Sequence, residues 1–223
     1  MGLALTRTAA TYPVQARPSR PGVARDYGEL ASKLVILTLF SSMSVRLATD
    51  AAETGHVTGI LLLVSEALVV ALTLVRRTAG TVDRTWRARF LTIVATFGPP
   101  LVRPTSASLA PETVTIIIAS FGLMIVVLGK LSLGRSFGLT PANRGVVSTG
   151  LYKFVRHPIY LGYLITHLGF VMANPADWNW CILAAADLAL MLRAICEERT
   201  LALDPEYQSY MQRVRWRVIP RVF

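Results

Sequence analysis

Arg156-His157-Pro158-Ile159-Tyr160-Leu161-Gly162 opens an apolar segment spanning 159–174. Only Asn174-Pro175-Ala176-Asp177-Trp178 separates it from a second apolar segment, 178–195, and Glu197-Glu198 follows where that one ends. Two apolar runs joined by so short a turn form an antiparallel helical hairpin. Pro158 suits the first turn of its helix, where a backbone N–H has no intrahelical partner to lose. Charged and ring-bearing residues gathered this densely at the ends of membrane spans point to a polar ligand.

Working outward, four more apolar runs precede the hairpin, at 31–49, 57–75, 88–102 and 112–133. Of 223 residues, 53% are hydrophobic and 16% charged, whereas soluble domains run at about a quarter charged. Several runs approach the ~20 residues that a spanning helix needs. The expected fold is an all-α integral membrane protein with about six transmembrane helices. Five remain possible, because 88–102 is short and Gly98-Pro99-Pro100 breaks it. The connections alternate in charge. The 76–89 loop (Arg76, Arg77, Arg84, Arg87, Arg89), the 134–157 loop (Arg135, Arg144, Lys153, Arg156) and both tails are basic, while 50–56 and 175–177 are acidic. The positive-inside rule then places both termini in the cytoplasm and requires an even number of spans, which keeps 88–102 as one of them.

Three regions follow. Residues 1–30 hold Pro13, Pro18, Pro21 and four arginines without a continuous apolar stretch, which predicts a basic, flexible cytoplasmic tail and not a secretory signal. Residues 31–129 are the N-terminal transmembrane helices. Residues 130–223 are the working half: a glycine-rich loop, the hairpin over 159–195, and a tail whose Tyr207, Tyr210, Trp216, Arg213, Arg215 and Arg217 suit the membrane–water interface. Within the loop, Val146-Val147-Ser148-Thr149 reads as a short extended piece, and no phosphate-binding fingerprint is present.

The net charge of +10 does not indicate nucleic acid, because the basic residues fall between apolar runs and form no aromatic-interleaved stripe. Cys181 and Cys196 lie at opposite ends of one segment and cannot reach each other within a straight helix. With three histidines and no zinc spacing, no metal site is expected. Lysine occurs only at Lys33, Lys130 and Lys153, and this arginine bias suggests a GC-rich prokaryotic genome and hence an inner or plasma membrane.

Arg193 and Glu197 are four apart, on one helix face. The plain reading is a surface ion pair. At the point where a span leaves the membrane, however, desolvated charge is costly unless it is used. A forked guanidinium suits a substrate carboxylate, and the glutamates suit hydroxyls or an ammonium. His157 and Tyr160 read either as an interfacial pair or as ligand contacts. Gly162 would let a flat ligand, or a neighbouring backbone, come close. Glu66 and Asp187 lie inside spans, as functional groups or as hydrogen-bonded structural ones. His167 reads as a packed histidine, and Arg46 as a snorkelling one.

The motif from Arg156 to Gly162, followed by Glu197-Glu198, resembles the signature of the isoprenylcysteine carboxyl methyltransferase superfamily, which includes phospholipid N-methyltransferases. The similarity extends to Leu133-Gly134-Arg135-Ser136-Phe137, to Ser148-Thr149-Gly150-Leu151-Tyr152, and to the tail from Tyr207 through Pro220, so it covers roughly residues 130–220. Lys153 and Leu151 depart from the commoner arginine and proline. The resemblance implies an S-adenosylmethionine-dependent methyltransferase that releases S-adenosylhomocysteine. By motif, His157, Pro158, Tyr160, Gly162 and Glu198 would line the cofactor pocket with Tyr152 near it, and Arg193 and Glu197 would face the methyl acceptor as the catalytic pair. The acceptor would be lipophilic and enter from the bilayer, and O-methylation of a carboxylate is the leading expectation. N-methylation of an amino-phospholipid and S-methylation of a small thiol stay open. So do two other classes: a sterol-type NADPH reductase, and a transporter using Glu66 and Asp187.

Overall fold

The computed structural model describes residues 27–54, 57–103 and 105–223. The tail predicted over 1–30 falls almost wholly outside them, as does the side chain of Arg46. Among the described residues the chain is mostly helical: α1 (Tyr27–Thr54), α2 (Val57–Val75), α3 (Trp86–Phe97), α4 (Glu112–Leu133), α5 (Pro158–Ala173), α6 (Asp177–Leu201) and α7 (Pro205–Arg213). Each predicted apolar run holds a helix. Two of these, Glu112–Ser136 and Asp177–Leu201, are long and apolar enough to cross a membrane, while Lys33–Val45, Ile60–Val75 and Pro158–Ala173 are apolar but shorter. Thr85 caps α3 by accepting from the Ala88 amide, and the helix stops at Gly98, where a 3-10 turn over Pro99–Leu101 takes over. Prolines at 99 and 100 remove the donors that a continuing helix would need.

Hydrogen bonds at the two ends of the bundle establish the directions of α2 to α6. At one end, Arg103 donates its amide to Asn179 and accepts from the Asn179 side chain, while Thr105 is held by Asn174 and Leu109 by Met172. The end of the α3 segment, the start of α4 and the α5–α6 turn therefore share one layer. At the other end, Arg77 donates to the Arg135 carbonyl at 2.8 Å, and Arg135 Nε donates to Val75. Residues Thr81–Val82 (β1) pair antiparallel with Ala142–Asn143 (β2). The α2, α4 and α6 ends and the α3 and α5 starts thus share the second layer, and the 76–89 and 134–157 loops meet there. The extended piece expected at Val146–Thr149 is not a strand. The ladder lies at 142–143 instead, because Asn143 accepts from the Gly145 amide and Gly145 turns the chain away at φ +100.

α4 is central, packing on α5 and α2, while α3 packs on α6. The α4–α5 seam is glycine-lined. A Cβ on Gly162 would sit 2.7 Å from the Gly122 carbonyl oxygen, and one on Gly122 would sit 2.5 Å from the Thr166 amide nitrogen. Small residues let backbones approach where lipid offers no hydrophobic drive to association. Gly162 therefore meets a neighbouring backbone, the second of its two readings. Because the crowding atoms are backbone, Gly162→Ala is expected to cost about 1–3 kcal/mol. Thermal unfolding in detergent should show the loss, and an unchanged midpoint would contradict the seam.

The carboxylates within the apolar helices α2 and α6 are both partnered. Glu66 lies 3.9 Å from the buried Lys130 ammonium, which also donates to the Ser65 carbonyl and hydroxyl. Asp187 pairs with His167 Nδ1.

Candidate functional site

The second layer holds the residues singled out by the sequence. His157 caps α5, and Pro158 occupies its first turn. The chain before it is pinned to the tail by two backbone bonds: Arg156 donates to Trp216 at 2.9 Å and His157 to Arg217 at 2.7 Å. The tail is thereby tied to the start of α5. Asp204 caps α7 by accepting from the Glu206 amide, which turns Tyr207 and Tyr210 inward to burial. The Tyr210 hydroxyl donates to the Tyr152 carbonyl at 2.8 Å. Replacing the α7 pair would remove both aromatic surface and this tie between tail and loop.

Two adjacent glutamates on α6 share His157 and otherwise have separate partners. Glu198 is buried at 5% exposure, accepts from two arginines and lies against His157. Arg156 approaches it bidentately at 2.7 and 3.1 Å, Arg217 at 2.7 Å, and His157 Nε2 lies at 3.2 Å. Arg156 also donates to the Val214 and Arg215 carbonyls. Glu198 thus fastens α6, the α5 start and the tail into one knot. Glu197 faces the other way. Its Oε1 accepts from the Tyr160 hydroxyl at 2.8 Å and from Arg193 Nε and Nη2 at 3.1 and 3.0 Å, and its Oε2 lies 3.5 Å from His157 Nδ1. Arg193 also stacks over the Tyr160 ring, 5.6 Å from its centroid.

A cleft of about 100 Å³ opens beside this pair. Glu197, His157 and Arg156 form its floor; Tyr152, Tyr207 and Tyr210 form its aromatic side; and the loop from Gly138 to Val147 forms its lid. Burial pushes the Tyr152, Tyr207 and Tyr210 phenols above the usual range, and the carboxylates nearby (Glu197 for Tyr152, Glu198 for Tyr207 and Tyr210) push the same way. All three therefore stay neutral at any physiological pH, able to stack and to donate.

Of the eight residues expected at the site, Tyr152, His157 and Glu197 line the cleft. Tyr160 and Arg193 stand directly behind Glu197, Glu198 stands behind His157 and Arg156, and Pro158 shapes the helix start. Gly162 lies in the α4–α5 seam. Sequence reasoning assigned no role to Arg156, although it stands in the motif, and it left Arg217, Tyr207 and Tyr210 at the interface. Their only sequence signal was the density of arginine and aromatics in the tail.

Residues 113–203 match the model of the Isoprenylcysteine carboxyl methyltransferase (ICMT) family. The match runs from the start of α4 to just past α6 and contains the hairpin, the loop and both glutamates. The chain is also similar to Protein-S-isoprenylcysteine O-methyltransferase A of Arabidopsis thaliana, with 32% identity over 74 residues. That similarity takes in 27% of this chain and 38% of the relative, so the chain matches well under half of the relative's length. α7, with Tyr207 and Tyr210, and Arg217 lie beyond the ICMT match, whereas Tyr152 lies within it.

Proposed function

We propose that the chain is an integral membrane methyltransferase that uses S-adenosylmethionine and methylates a lipophilic acceptor, with a carboxylate as the leading acceptor class. The observation that carries this reading is the division of labour between Glu198, spent on holding the site together, and Glu197, presented to an aromatic, partly cationic cleft.

The residues present fit the cofactor. Tyrosine faces and the Leu133, Val146 and Val147 side chains suit an adenine ring. Arg144 suits the amino-acid carboxylate. The Glu197 carboxylate suits a ribose hydroxyl or a positive sulfonium. The bound cofactor supplies an electrophilic methyl group. The protein's part is positioning, which can account for much of the barrier in an in-line displacement. A carboxylate acceptor is already ionised at neutral pH and needs a cation to orient it. Arg193 offers one, and its pairing with Glu197 keeps it from neutralising the nucleophile completely. Tyr160 and His157 hold Glu197 from either side, which fixes the arginine in turn.

The alternating helix directions support six spans. The α3 segment, although its helix is short, runs from the β1–β2 layer to the Asn179 layer. An even number of spans puts both termini on the cytoplasmic side with the basic loops, in a prokaryotic inner or plasma membrane. The cofactor then enters from the cytosol and the acceptor from the bilayer. Purified protein incubated with methyl-labelled cofactor and a lipophilic carboxylate, such as a prenylated cysteine mimic, is expected to yield a base-labile methyl ester. A base-stable product from an amino-lipid instead would move the reading to N-methylation.

A further inference from the structure

A second groove, of about 340 Å³, lies beside the cleft. Arg77, Arg135, Ser132, Ser136, Ser148 and Thr149 line it, and it shares Leu133, Ser136, Val146 and Val147 with the cleft. None of its lining residues is acidic. Arg135 is anchored through Nε on the Val75 carbonyl at 3.1 Å, and the Arg77 amide is bonded to the Arg135 carbonyl. Both residues thus stand on the joined ends of α2 and α4, with the Arg135 guanidinium fixed by its own bond. Ser132 and Ser136 already donate to the Leu128 and Arg144 carbonyls. Donors for a ligand therefore come from the arginines and from Ser148 and Thr149 at the rim. Immediately below, on the last turns of the same helices, Leu74, Val75 and Leu131 are 64%, 53% and 56% exposed. A forked cation pair directly above exposed aliphatic side chains is the pattern of a site at the boundary between water and hydrocarbon.

We propose that this groove binds the phosphodiester headgroup of an anionic membrane lipid, its phosphate on Arg77 and Arg135 and its tails against Leu74 and Leu131. A lipid seated there presses on Leu133 and Val147, the wall it shares with the cleft, and couples bilayer composition to the cleft. This rests on the membrane placement proposed above and not on methyl transfer, so its test is independent of activity.

The full chain is released from nanodiscs of equal phosphatidylcholine and phosphatidylglycerol, and the retained lipid is counted by native mass spectrometry. Wild-type protein is expected to retain phosphatidylglycerol over phosphatidylcholine by on the order of tenfold. The Arg77→Gln, Arg135→Gln double variant is expected to lose that preference. Arg77→Lys with Arg135→Lys, which keeps the charge and loses the fork, is expected to fall between. Thr149→Trp fills the rim without touching either arginine and is expected to lose the preference too, which guards against a glutamine variant that fails to fold. An unchanged preference in a folded glutamine double variant would overturn the proposal. Displacement of the lipid by inorganic phosphate at the same concentration would overturn the lipid in favour of a free phosphate.

Discussion

Glu198→Ala is expected to be the most damaging single change in the chain, lowering stability by about 3–5 kcal/mol. The loss comes from what is left behind. Arg156 and His157 are buried, and Arg217 leans on the same carboxylate. Without it, Arg156 and Arg217 face each other beside His157 with no carboxylate between them. Breaking a buried ion pair by removing one partner costs far more than the pair itself contributes. Glu198→Gln keeps the shape and one of the two acceptor oxygens, so a smaller loss is expected. Thermal unfolding in detergent is the check, with a fall on the order of 10 °C for the alanine variant. Cofactor affinity should fall with it, because the Arg156 and His157 walls move. A stable Glu198→Ala protein that has lost only cofactor affinity would mean that Glu198 acts as a direct ligand and not as the knot.

Arg193→Ala is expected to behave differently. Glu197 keeps Tyr160 and His157 as partners, so the cleft floor should stand. The affinity for S-adenosylhomocysteine should change by less than about threefold, whereas kcat/KM for the acceptor should fall by about 100-fold or more, the size expected when a charged orienting group is lost from a dry site. Arg193→Lys keeps the charge but not the fork that bridges Glu197, and should recover only part of that rate. Equal losses in cofactor affinity and acceptor use would show that Arg193 belongs to the cofactor side.

The helical segments and the hairpin were legible because apolar runs and their breakers act locally: Pro158, Asn174-Pro175 and Gly98-Pro99-Pro100 all mark real boundaries. The pairing of Glu197 with Arg193 was legible for the same reason, since four residues make one helical turn. What spacing could not show is which of two adjacent glutamates faces the cleft. They differ by one residue and about 100° around the helix, and the choice is settled by Arg156, 42 positions away in sequence, and by Arg217 in the tail. The β1–β2 pairing was hidden too, because two-residue strands carry no periodic signal. Gly162 illustrates the same limit. Its lack of a side chain announced a close approach, and only the position of Gly122 shows that the approach is a helix's.

The most direct test of the central claim is a thermal-shift titration of the detergent-purified protein with S-adenosylhomocysteine, run beside NADPH. A ligand that binds the folded state raises its stability in step with concentration over Kd. Saturable stabilisation by S-adenosylhomocysteine alone is the predicted result, and it should weaken when Tyr207 and Tyr210, the aromatic side of the cleft, are both changed to alanine. Stabilisation by NADPH alone would contradict the account and make the chain a reductase.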